Sequence, residues 1–416
     1  MIWYWCKRIY QSCAVTIALM MALGITFKDV TAHPGVTDAA VIWVNTFQDE
    51  LNSDGDCSLR EAIRSANLNI GVDGCVPGNG YDTIYLGIGH FDLTIPGTGE
   101  DSSLTGDFDI TENLRLYGSG ANQTVIDGND LDRVFHHVSG TEFKISRLTI
   151  QNGSAPVGET FSGGGILNKQ GTLEVSYSVI TSNTAANTGG GIDNVSIAIL
   201  SNVTINDNTA VNGGGIFNDG TLYLTNSTLS GNTALDRGGG VDNYSDATFI
   251  NVTFSSNSAT ANNGGALFND GDIDILNSTI SNNTTGINNA YVIRIKNSIL
   301  ANSTAGENCV GDSLTSRGYN LDDKTSCSFN GVDDYSNTPA LLGTLQDNGG
   351  LVLTHALLAG SPAIDHADNL DCPATDGRGA IRPADGDGNS SLVCDRGAYE
   401  FNAKFPTVLL LPLIIR

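Results

Sequence analysis

The sequence contains few aromatic residues and few positive charges. Aromatic residues make up 7% of the 416 residues, and 20 lysines and arginines stand against 45 aspartates and glutamates, a net charge of −25. Such an acidic chain repels nucleic acid and anionic membranes, so we expect neither as a partner. Hydrophobic residues still make up 40% of the chain, which excludes disorder. The composition predicts a thin apolar core under an acidic, polar surface.

Helical periodicity and metal-binding motifs are also missing. No window shows a sustained 3.6-residue period, and the abundant glycine and asparagine disfavour helices. No Cys-x-x-Cys pair and no group of histidines indicates a zinc site. The apolar runs near the two termini are short for a membrane span.

The sequence does contain a repeat of about 25 residues. A glycine triplet begins at Gly163, Gly189, Gly213 and Gly238, and a Gly-Gly-Ala variant begins at Gly264. An asparagine lies five residues after the first glycine of every unit. A fixed period in this range is typical of stacked-repeat proteins, so any function should lie on a long repetitive surface.

Apolar residues follow a strand period within each repeat. Two apolar columns are two residues apart, as on one face of a strand. A third column contains Ile205, Leu229, Phe254 and Ile280. Short strands separated by glycine- and asparagine-rich turns, each stacked on the next, form a parallel β-helix. We therefore predict an all-β solenoid in which this third column is buried.

Several asparagines allow two interpretations. Asn202, Asn226, Asn251 and Asn277 lie in Asn-x-Ser/Thr sequons and could accept glycans. Alternatively, they are turn asparagines whose amides hydrogen-bond from rung to rung. We favour the second interpretation, because the asparagine column follows the repeat rather than the sequon.

The N-terminus has the pattern of a secretory signal. Lys7 and Arg8 precede an apolar run that ends near Ile25, and Val30-Thr-Ala32 has the small residues of a cleavage site. An uncleaved membrane anchor is the alternative. The pattern predicts an exported protein.

The cysteines indicate the same compartment. After residue 32, six cysteines fall into three local pairs: Cys57 with Cys75, Cys309 with Cys327, and Cys372 with Cys394. We predict three disulfides, because an even cysteine count in an exported chain is typical of them. No pair lies inside the repeats, so the disulfides should staple the end regions.

Three groups of motifs resemble those of exported bacterial proteins. Cys57-Ser-Leu-Arg-Glu-Ala-Ile63 resembles the CSLREA motif, and units such as Phe254-Ser-Ser-Asn257 are similar to polymorphic outer membrane protein repeats. Leu358-Ala-Gly-Ser-Pro-Ala-Ile-Asp365 and Cys394-Asp-Arg-Gly-Ala-Tyr-Glu400 resemble a choice-of-anchor Q region. The resemblance implies a right-handed parallel β-helix that is secreted or held on a bacterial surface, and it implies no defined reaction.

These observations divide the chain into five predicted parts. They are a signal peptide (1–32), an N-terminal CSLREA cap region (33–100), the β-helix repeats (101–305), a C-terminal cap or choice-of-anchor-like region (306–403) and an apolar tail (404–416). The tail is either a sorting or anchoring signal or a last strand that covers the end of the β-helix.

The stretch 126–137 carries the densest candidate chemistry. Its candidate catalytic residues are Asp127, Asp132, Arg133 and His136. A lyase must stabilise negative charge with cations, and this stretch has one arginine. His136 and His137 should point to opposite faces of a strand. We therefore favour a structural turn and strand edge over a catalytic site.

Two acidic runs are candidate calcium sites. The first holds Asn52, Asp54 and Asp56, and the second holds Asp385, Asp387 and Asn389. Oxygen side chains that alternate with glycine suit a hard cation. Solvated acidic turns are the alternative, and calcium is the one cofactor that the sequence suggests.

The fold alone does not decide the function. We predict a secreted or cell-surface β-helix without enzymatic activity, which presents an extended binding or adhesion surface to polysaccharide or another surface ligand. The alternative is a polysaccharide lyase or glycosidase on the same fold. Membrane contact is expected only through the N-terminal signal or a C-terminal anchor.

Overall fold

Each turn of the chain contributes one short strand to each of three long parallel sheets, here called sheets A, B and C. The computed structural model describes residues 39–155, 158, 162–260 and 263–406. Strands from successive rungs pair in parallel and in register, so that equivalent residues of neighbouring repeats lie side by side. The protein is a parallel β-helix, as predicted.

Sheets A and B have eleven strands each. Sheet A consists of Val41–Trp43, Asp82–Tyr85, Leu114–Tyr117, Glu142–Ser146, Thr172–Ser176, Ile197–Ser201, Thr221–Thr225, Asp246–Ile250, Asp272–Leu276, Val292–Lys296 and Thr315–Ser316. Sheet B consists of Gly89–Asp92, Thr124–Asp127, Thr149–Gln151, Val179–Thr181, Thr204–Asn206, Thr228–Ser230, Thr253–Ser255, Thr279–Ser281, Ile299–Ala301, Leu321–Asp322 and Tyr335–Ser336.

The remaining sheets are smaller. Sheet C consists of Phe108–Ile110, Phe135–His137, Ile166–Asn168, Ile192–Asn194, Ile216–Asn218, Val241–Asn243, Leu267–Asn269, Ile287–Asn289 and Cys309–Gly311. Sheet D consists of Ser154–Ala155, Thr184–Ala185, Thr209–Asn212 and Thr233–Arg237, and an antiparallel pair consists of Leu342–Gln346 and Thr354–Leu357. A short 3-10 helix spans Asn369–Asp371.

Stacked apolar side chains fill the interior. Ile205, Leu229, Phe254 and Ile280 are paired rung to rung in sheet B, and each is at most 1% exposed. The predicted buried column is confirmed. No rung can bury its apolar side alone, so the stacking creates the core.

Buried asparagines form two hydrogen-bonded ladders beside this core. In the first, each amide nitrogen from Asn168 to Asn269 donates to the amide oxygen of the next rung, at 2.7–2.9 Å. In the second, Asn183 to Asn283 are linked in the same way at 2.9–3.0 Å. Because their polar atoms are paired, these amides can lie in the interior without the cost of an unsatisfied group.

The glycine triplets allow the chain to turn tightly between sheets D and C. The first glycine has positive φ, for example 65° at Gly189. A Cβ on the second glycine, Gly190, would lie 2.3 Å from the carbonyl oxygen of Gly214 in the next rung. A side chain would therefore force the rungs apart at this position.

Among the described residues, one α-helix, α1 (Leu59–Leu68), lies against the first strands. Ser58 and Glu61 form a capping box at its N-terminus. Its buried apolar residues Leu59, Ala62, Ile63 and Ala66 have helical spacing. The capping box and the helical spacing were present in the sequence, but ten residues are too few to produce a sustained 3.6-residue hydrophobic period. None of the helices in the described residues is long and apolar enough to span a membrane.

The segment Cys57-Ser-Leu-Arg-Glu-Ala-Ile63 has a structural role at this end of the β-helix. Cys57 is joined to Cys75 at the start of α1. Arg60 is fully buried, bonds the Asp49 carboxylate at 2.5 Å and donates to the backbone carbonyl of Gly106 at 2.7 Å. The motif arginine therefore ties α1 to two loops.

The C-terminal region, residues 340–406, folds back along the side of the β-helix. Thr228 donates to the carbonyl oxygen of Leu353 at 2.6 Å, and Thr279 accepts from the backbone N–H of Ala398 at 3.0 Å. The sheet B threonines from Thr228 to Thr279 are buried as a result. This region therefore covers a lateral face of sheet B.

Buried arginines of the C-terminal region form ion pairs that hold this region in place. Their described pairs are Arg378 with Asp376 at 2.7 Å, Arg382 with Glu400 at 3.0 Å, and Arg396 with Asp333 at 2.8 Å. The other two disulfides are Cys309–Cys327 and Cys372–Cys394, so the three local pairs are those that were predicted.

Candidate functional site

The candidate catalytic residues of 126–137 do not meet in one site. Asp127 lies on sheet B, where its carboxylate accepts hydrogen bonds from the side chains of Gln151 (2.7 Å) and Asn152 (2.9 Å). His136 lies on sheet C. The two side chains therefore belong to different faces of the β-helix.

Asp132 and Arg133 are buried between these faces, 1% and 3% exposed. The Arg133 guanidinium lies 2.9 Å from the Asp107 carboxylate and donates to the carbonyl oxygen of Ser162 at 2.9 Å. Burial raises the pKa of Asp107 well above its usual range, and the Arg133 charge partly opposes the shift. This geometry is that of a structural ion pair, and Arg133 offers no surface to a polysaccharide.

The two histidines have different partners. His137 faces the asparagine ladder, and its Nδ1 lies 2.8 Å from the amide oxygen of Asn168. Burial lowers the pKa of His137 to about 4, so it is neutral at ordinary pH. His136 points the other way, toward Asp101 and Asp109. The structure thus puts the adjacent histidines on opposite faces of one strand.

The first candidate calcium loop gathers more acid groups than the sequence indicated. Carboxylate oxygens of Glu50, Asp54 and Asp56 lie within 4.8 Å of one another, as do those of Asp56, Glu61 and Asp73. Partial desolvation and the neighbouring carboxylates raise the pKa of Asp56.

The Asn52 side chain points its amide nitrogen, not a ligand oxygen, at the carboxylates of this loop. Its amide nitrogen donates to the carboxylates of Glu50 (2.8 Å) and Asp54 (3.1 Å). Asn52 therefore balances the acid groups with N–H donors. Glu61 lies outside the acidic run in sequence, and its place in the helix cap is what brings it to the loop.

In the second candidate calcium loop, Asp385 and Asp387 meet Asp365. Backbone N–H groups already donate to these carboxylates, for example Gly388 to Asp385 at 2.8 Å and Asp387 to Asp365 at 2.7 Å. The Asn389 amide donates to Asp387 at 2.8 Å. The loop is thus internally hydrogen-bonded, and calcium binding at either loop stays a prediction.

A different surface feature arises at the turn between sheets A and B. One residue per rung has positive φ there, and these residues are Arg147, Tyr177, Asn202, Asn226, Asn251, Asn277 and Asn297. Asparagine tolerates this conformation, whereas arginine and tyrosine adopt it less readily. The rungs of Arg147 and Tyr177 therefore hold large side chains where the later rungs hold a small amide.

The C-terminal region covers one end of this column and leaves the other open. Asn251 and Asn277 donate to carbonyl oxygens of Thr375 (2.9 Å) and Asp395 (3.3 Å), and both are at most 2% exposed. Their amides also bond their neighbours in the column, which fits the turn interpretation of the sequons. Arg147 and Tyr177 lie beyond this cover and are exposed.

A groove of about 620 Å³, here called the Arg147 groove, occupies the open part. Its walls include Ser119, Asn122, Arg147, Tyr177, Thr204 and Leu351. Leu351 belongs to the C-terminal region, so this region forms one wall. The groove therefore combines apolar surface with hydroxyl and amide groups around one cation and one aromatic ring.

Arg147 is the notable charge in this groove. Its guanidinium forms no ion pair or hydrogen bond with any part of the chain that the structure describes. By contrast, nearby Lys144 bonds both Glu142 (2.8 Å) and Glu174 (3.0 Å). An exposed, unpaired arginine on a protein with 45 acidic residues is available to an anionic ligand.

A second groove of about 440 Å³ continues from the first along sheet A and shares Arg147 and Tyr177 with it. Tyr117 lines this groove and ends a stack of rings with Tyr85 and Trp43. The ring centroids are 5.6 Å and 4.7 Å apart, and the rings are nearly parallel. Stacked aromatic rings thus lead from the first rungs of sheet A to the second groove.

This groove was not predicted from the sequence. The signal was present, because Arg147 and Tyr177 interrupt an asparagine column. The wall formed by Leu351 depends on contacts between distant parts of the chain, which the repeat pattern does not reveal.

Two predicted segments lie outside the described residues, namely the signal peptide at 1–32 and residues 407–416 of the apolar tail.

Comparisons with known proteins yield a repeat and a distant structural likeness. Residues 251–270 match the model of the Chlamydia polymorphic membrane protein repeat. No curated protein matches the chain. Among solved structures, the chain resembles the crystal structure of pectate lyase Pel9A with a TM-score of 0.45 and 15% identity over 88% of this chain and 98% of that one. The protein is thus a parallel β-helix that carries a repeat of the polymorphic membrane protein type.

Proposed function

We propose that the protein is an exported β-helix, secreted or held on the cell surface, that binds an acidic polysaccharide in the Arg147 groove. The observation that carries the proposal is the exposed, unpaired guanidinium of Arg147 beside the exposed ring of Tyr177. Adhesion to a polysaccharide-coated surface is the biological role that this binding would serve.

The charge pattern favours a carboxylate-bearing ligand. A guanidinium presents paired N–H donors that match a carboxylate in a bidentate arrangement. The protein's own carboxylates satisfy Lys144 but leave Arg147 free. The anionic partner of Arg147 would therefore come from outside the chain.

The groove walls favour a sugar. Hydroxyl and amide groups such as Thr204 and Asn122 can exchange hydrogen bonds with sugar hydroxyls, and the Tyr177 ring offers an apolar face with a polar tip. The volume of about 620 Å³ lies within the range of small-molecule clefts. Since the second groove continues from the first, a chain of several sugar units could lie across the ridge formed by Arg147 and Tyr177.

Export is supported by independent features. The three disulfides are typical of an oxidising compartment, and the N-terminal pattern is that of a secretory signal. The repeat that matches residues 251–270 is named for a membrane protein. Binding is favoured over cleavage because Asp127 and His136 lie on different sheets and Arg133 is buried.

Binding of purified protein to a polysaccharide panel tests the proposal. The panel contains uronic-acid polymers, such as polygalacturonate and alginate, and neutral polymers, such as dextran. We expect binding to at least one uronic-acid polymer and none to the neutral ones. We expect Arg147→Ala and Tyr177→Ala each to weaken that binding by about tenfold or more, in line with the loss of a central contact.

Matched controls separate the groove from general surface effects. Tyr291 is exposed, like Tyr177, and precedes the sheet A strand Val292–Lys296, which lines neither groove. Lys169 is an exposed cation that follows a sheet C strand. Tyr291→Ala and Lys169→Ala should bind like wild type. Equal losses in the control and groove variants, or preference for neutral polymers, would contradict the proposed site.

A further inference from the structure

A cluster of Asp101, Asp109 and His136 lies apart from both the Arg147 groove and the acidic loops. Asp109 and His136 are direct neighbours in sheet C, where their strands pair in register. Both side chains are buried, at 0% and 6% exposure. Asp101 reaches them from the loop 97–107, and its side chain is 60% exposed.

The distances in this cluster fit a coordination shell. His136 Nδ1 lies 3.3 Å from Asp109 Oδ1 and 3.4 Å from Asp101 Oδ1, and one ligand atom from each of the three residues lies within 4.8 Å of the other two. Charge-assisted N–H···O bonds are shorter, about 2.7–2.9 Å. In a tetrahedral zinc site with bonds of about 2.0–2.2 Å, neighbouring ligand atoms are about 3.3–3.6 Å apart.

Asp109 supplies the second, independent observation. Its Oδ2 accepts the backbone N–H of Ser103 at 2.7 Å, which fixes the carboxylate. Its Oδ1 is buried, points at His136 Nδ1 and has no hydrogen-bond partner in the described part of the chain. A buried carboxylate oxygen without a partner is costly unless something else satisfies it.

The local charge also favours a cation. Glu100 lies close enough to act electrostatically on Asp109, and no lysine or arginine of the described residues forms an ion pair with Asp101 or Asp109. Imidazole nitrogen with carboxylate oxygens is a donor set that zinc and its first-row neighbours accept, whereas calcium takes oxygen ligands.

We propose that Asp101 Oδ1, Asp109 Oδ1 and His136 Nδ1 bind a divalent transition-metal ion, with zinc as the best fit. The exposure of Asp101 provides the entry path and leaves a further coordination position to solvent. The ion ties the loop 97–107 to sheet C. Since Arg60 of α1 bonds the carbonyl oxygen of Gly106 in the same loop, the ion stabilises the N-terminal end of the β-helix.

Metal binding by the full exported chain tests this proposal. The protein is dialysed against a chelator, and ZnCl₂, CoCl₂ and CaCl₂ are titrated separately by calorimetry. We expect one tight zinc equivalent per chain, and an intense visible spectrum of tetrahedral cobalt when CoCl₂ is added. Calcium should not compete for this site.

Three variants and one control locate the ion. Asp101→Asn, Asp109→Asn and His136→Gln each remove a ligand and should weaken zinc binding by at least the roughly 10–100-fold that loss of a second-shell partner costs. Asp92→Asn removes an exposed carboxylate on sheet B and should bind zinc like wild type. Circular dichroism checks that each variant is folded.

If a variant at a buried position fails to fold, Asp101→Asn still tests the proposal. The Asp101 side chain is mostly exposed, so this variant should fold. The proposal is overturned if wild type binds no zinc, or if folded Asp101→Asn retains wild-type affinity. It is also overturned if zinc binds only to the acidic loops, which Asp54→Asn and Asp385→Asn would reveal.

Discussion

Removal of one amide from the second asparagine ladder should weaken the β-helix locally and strongly. Asn232 is fully buried. Its Oδ1 accepts from the backbone N–H (3.1 Å) and the amide (3.0 Å) of Asn208. Its Nδ2 donates to the carbonyl oxygen of Ile205 and to the amide oxygen of Asn257, both at 2.9 Å. Asn232→Ala therefore takes a partner from four buried groups.

The magnitude follows from these four bonds. An unsatisfied buried N–H costs about 1–3 kcal/mol, and each further lost hydrogen bond contributes about 1 kcal/mol. The free energy of opening this region should fall by about 4–6 kcal/mol. In a solenoid each rung contacts only its neighbours, so the effect should be confined to the rungs on either side.

Hydrogen exchange measured by mass spectrometry gives the local free energy. Peptides that cover 200–260 should exchange much faster in Asn232→Ala, while peptides near the helix α1 should not change. Asn206→Ala is the control, because the Asn206 amide bonds the exposed carboxylate of Asp207. If both variants exchange alike, the ladder does not stabilise the fold and the reasoning is refuted.

Three further predictions concern the core, pH and activity. Leu229→Asp places an unpaired charge in the buried column and should lower the melting temperature severely or prevent folding, whereas an unchanged melting temperature would contradict the register. Burial raises the pKa of Asp242 to about 7, although Arg237 opposes the shift. The unfolded chain then loses this proton first, so urea unfolding should show stability falling as pH rises from about 4 to about 7. Asp242→Asn should flatten that slope, and an unaltered slope would argue against the shift. Purified protein should release no unsaturated or reducing ends from polyuronates. Cleavage that Arg133→Ala or His136→Ala abolishes would favour the enzyme alternative.

The repeat made the centre of the fold predictable. Neighbouring rungs are about 25 residues apart and identical in plan, so the spacing of Leu229 and Phe254 already places them side by side. The disulfides could also be predicted from the sequence, because each joins cysteines that are 18 or 22 residues apart.

The rest depends on contacts that no local pattern encodes. Arg382 reaches Asn251 across 131 residues, and contacts of this kind place the C-terminal region on a side of the solenoid. The cluster of Asp101, Asp109 and His136 forms because the loop 97–107 lies against the two paired strands that hold Asp109 and His136. Helix α1 was not predicted, because a capping box and four apolar residues are a short sequence pattern.

The most direct measurement of the central claim is a crystal structure of the protein with a uronic-acid oligosaccharide, such as a trimer or tetramer of galacturonate. We expect the sugar in the Arg147 groove, with one carboxylate against the Arg147 guanidinium and a sugar ring against Tyr177. A ligand bound elsewhere on the surface, or no ligand at saturating concentration in crystals whose groove is open, would contradict the claim.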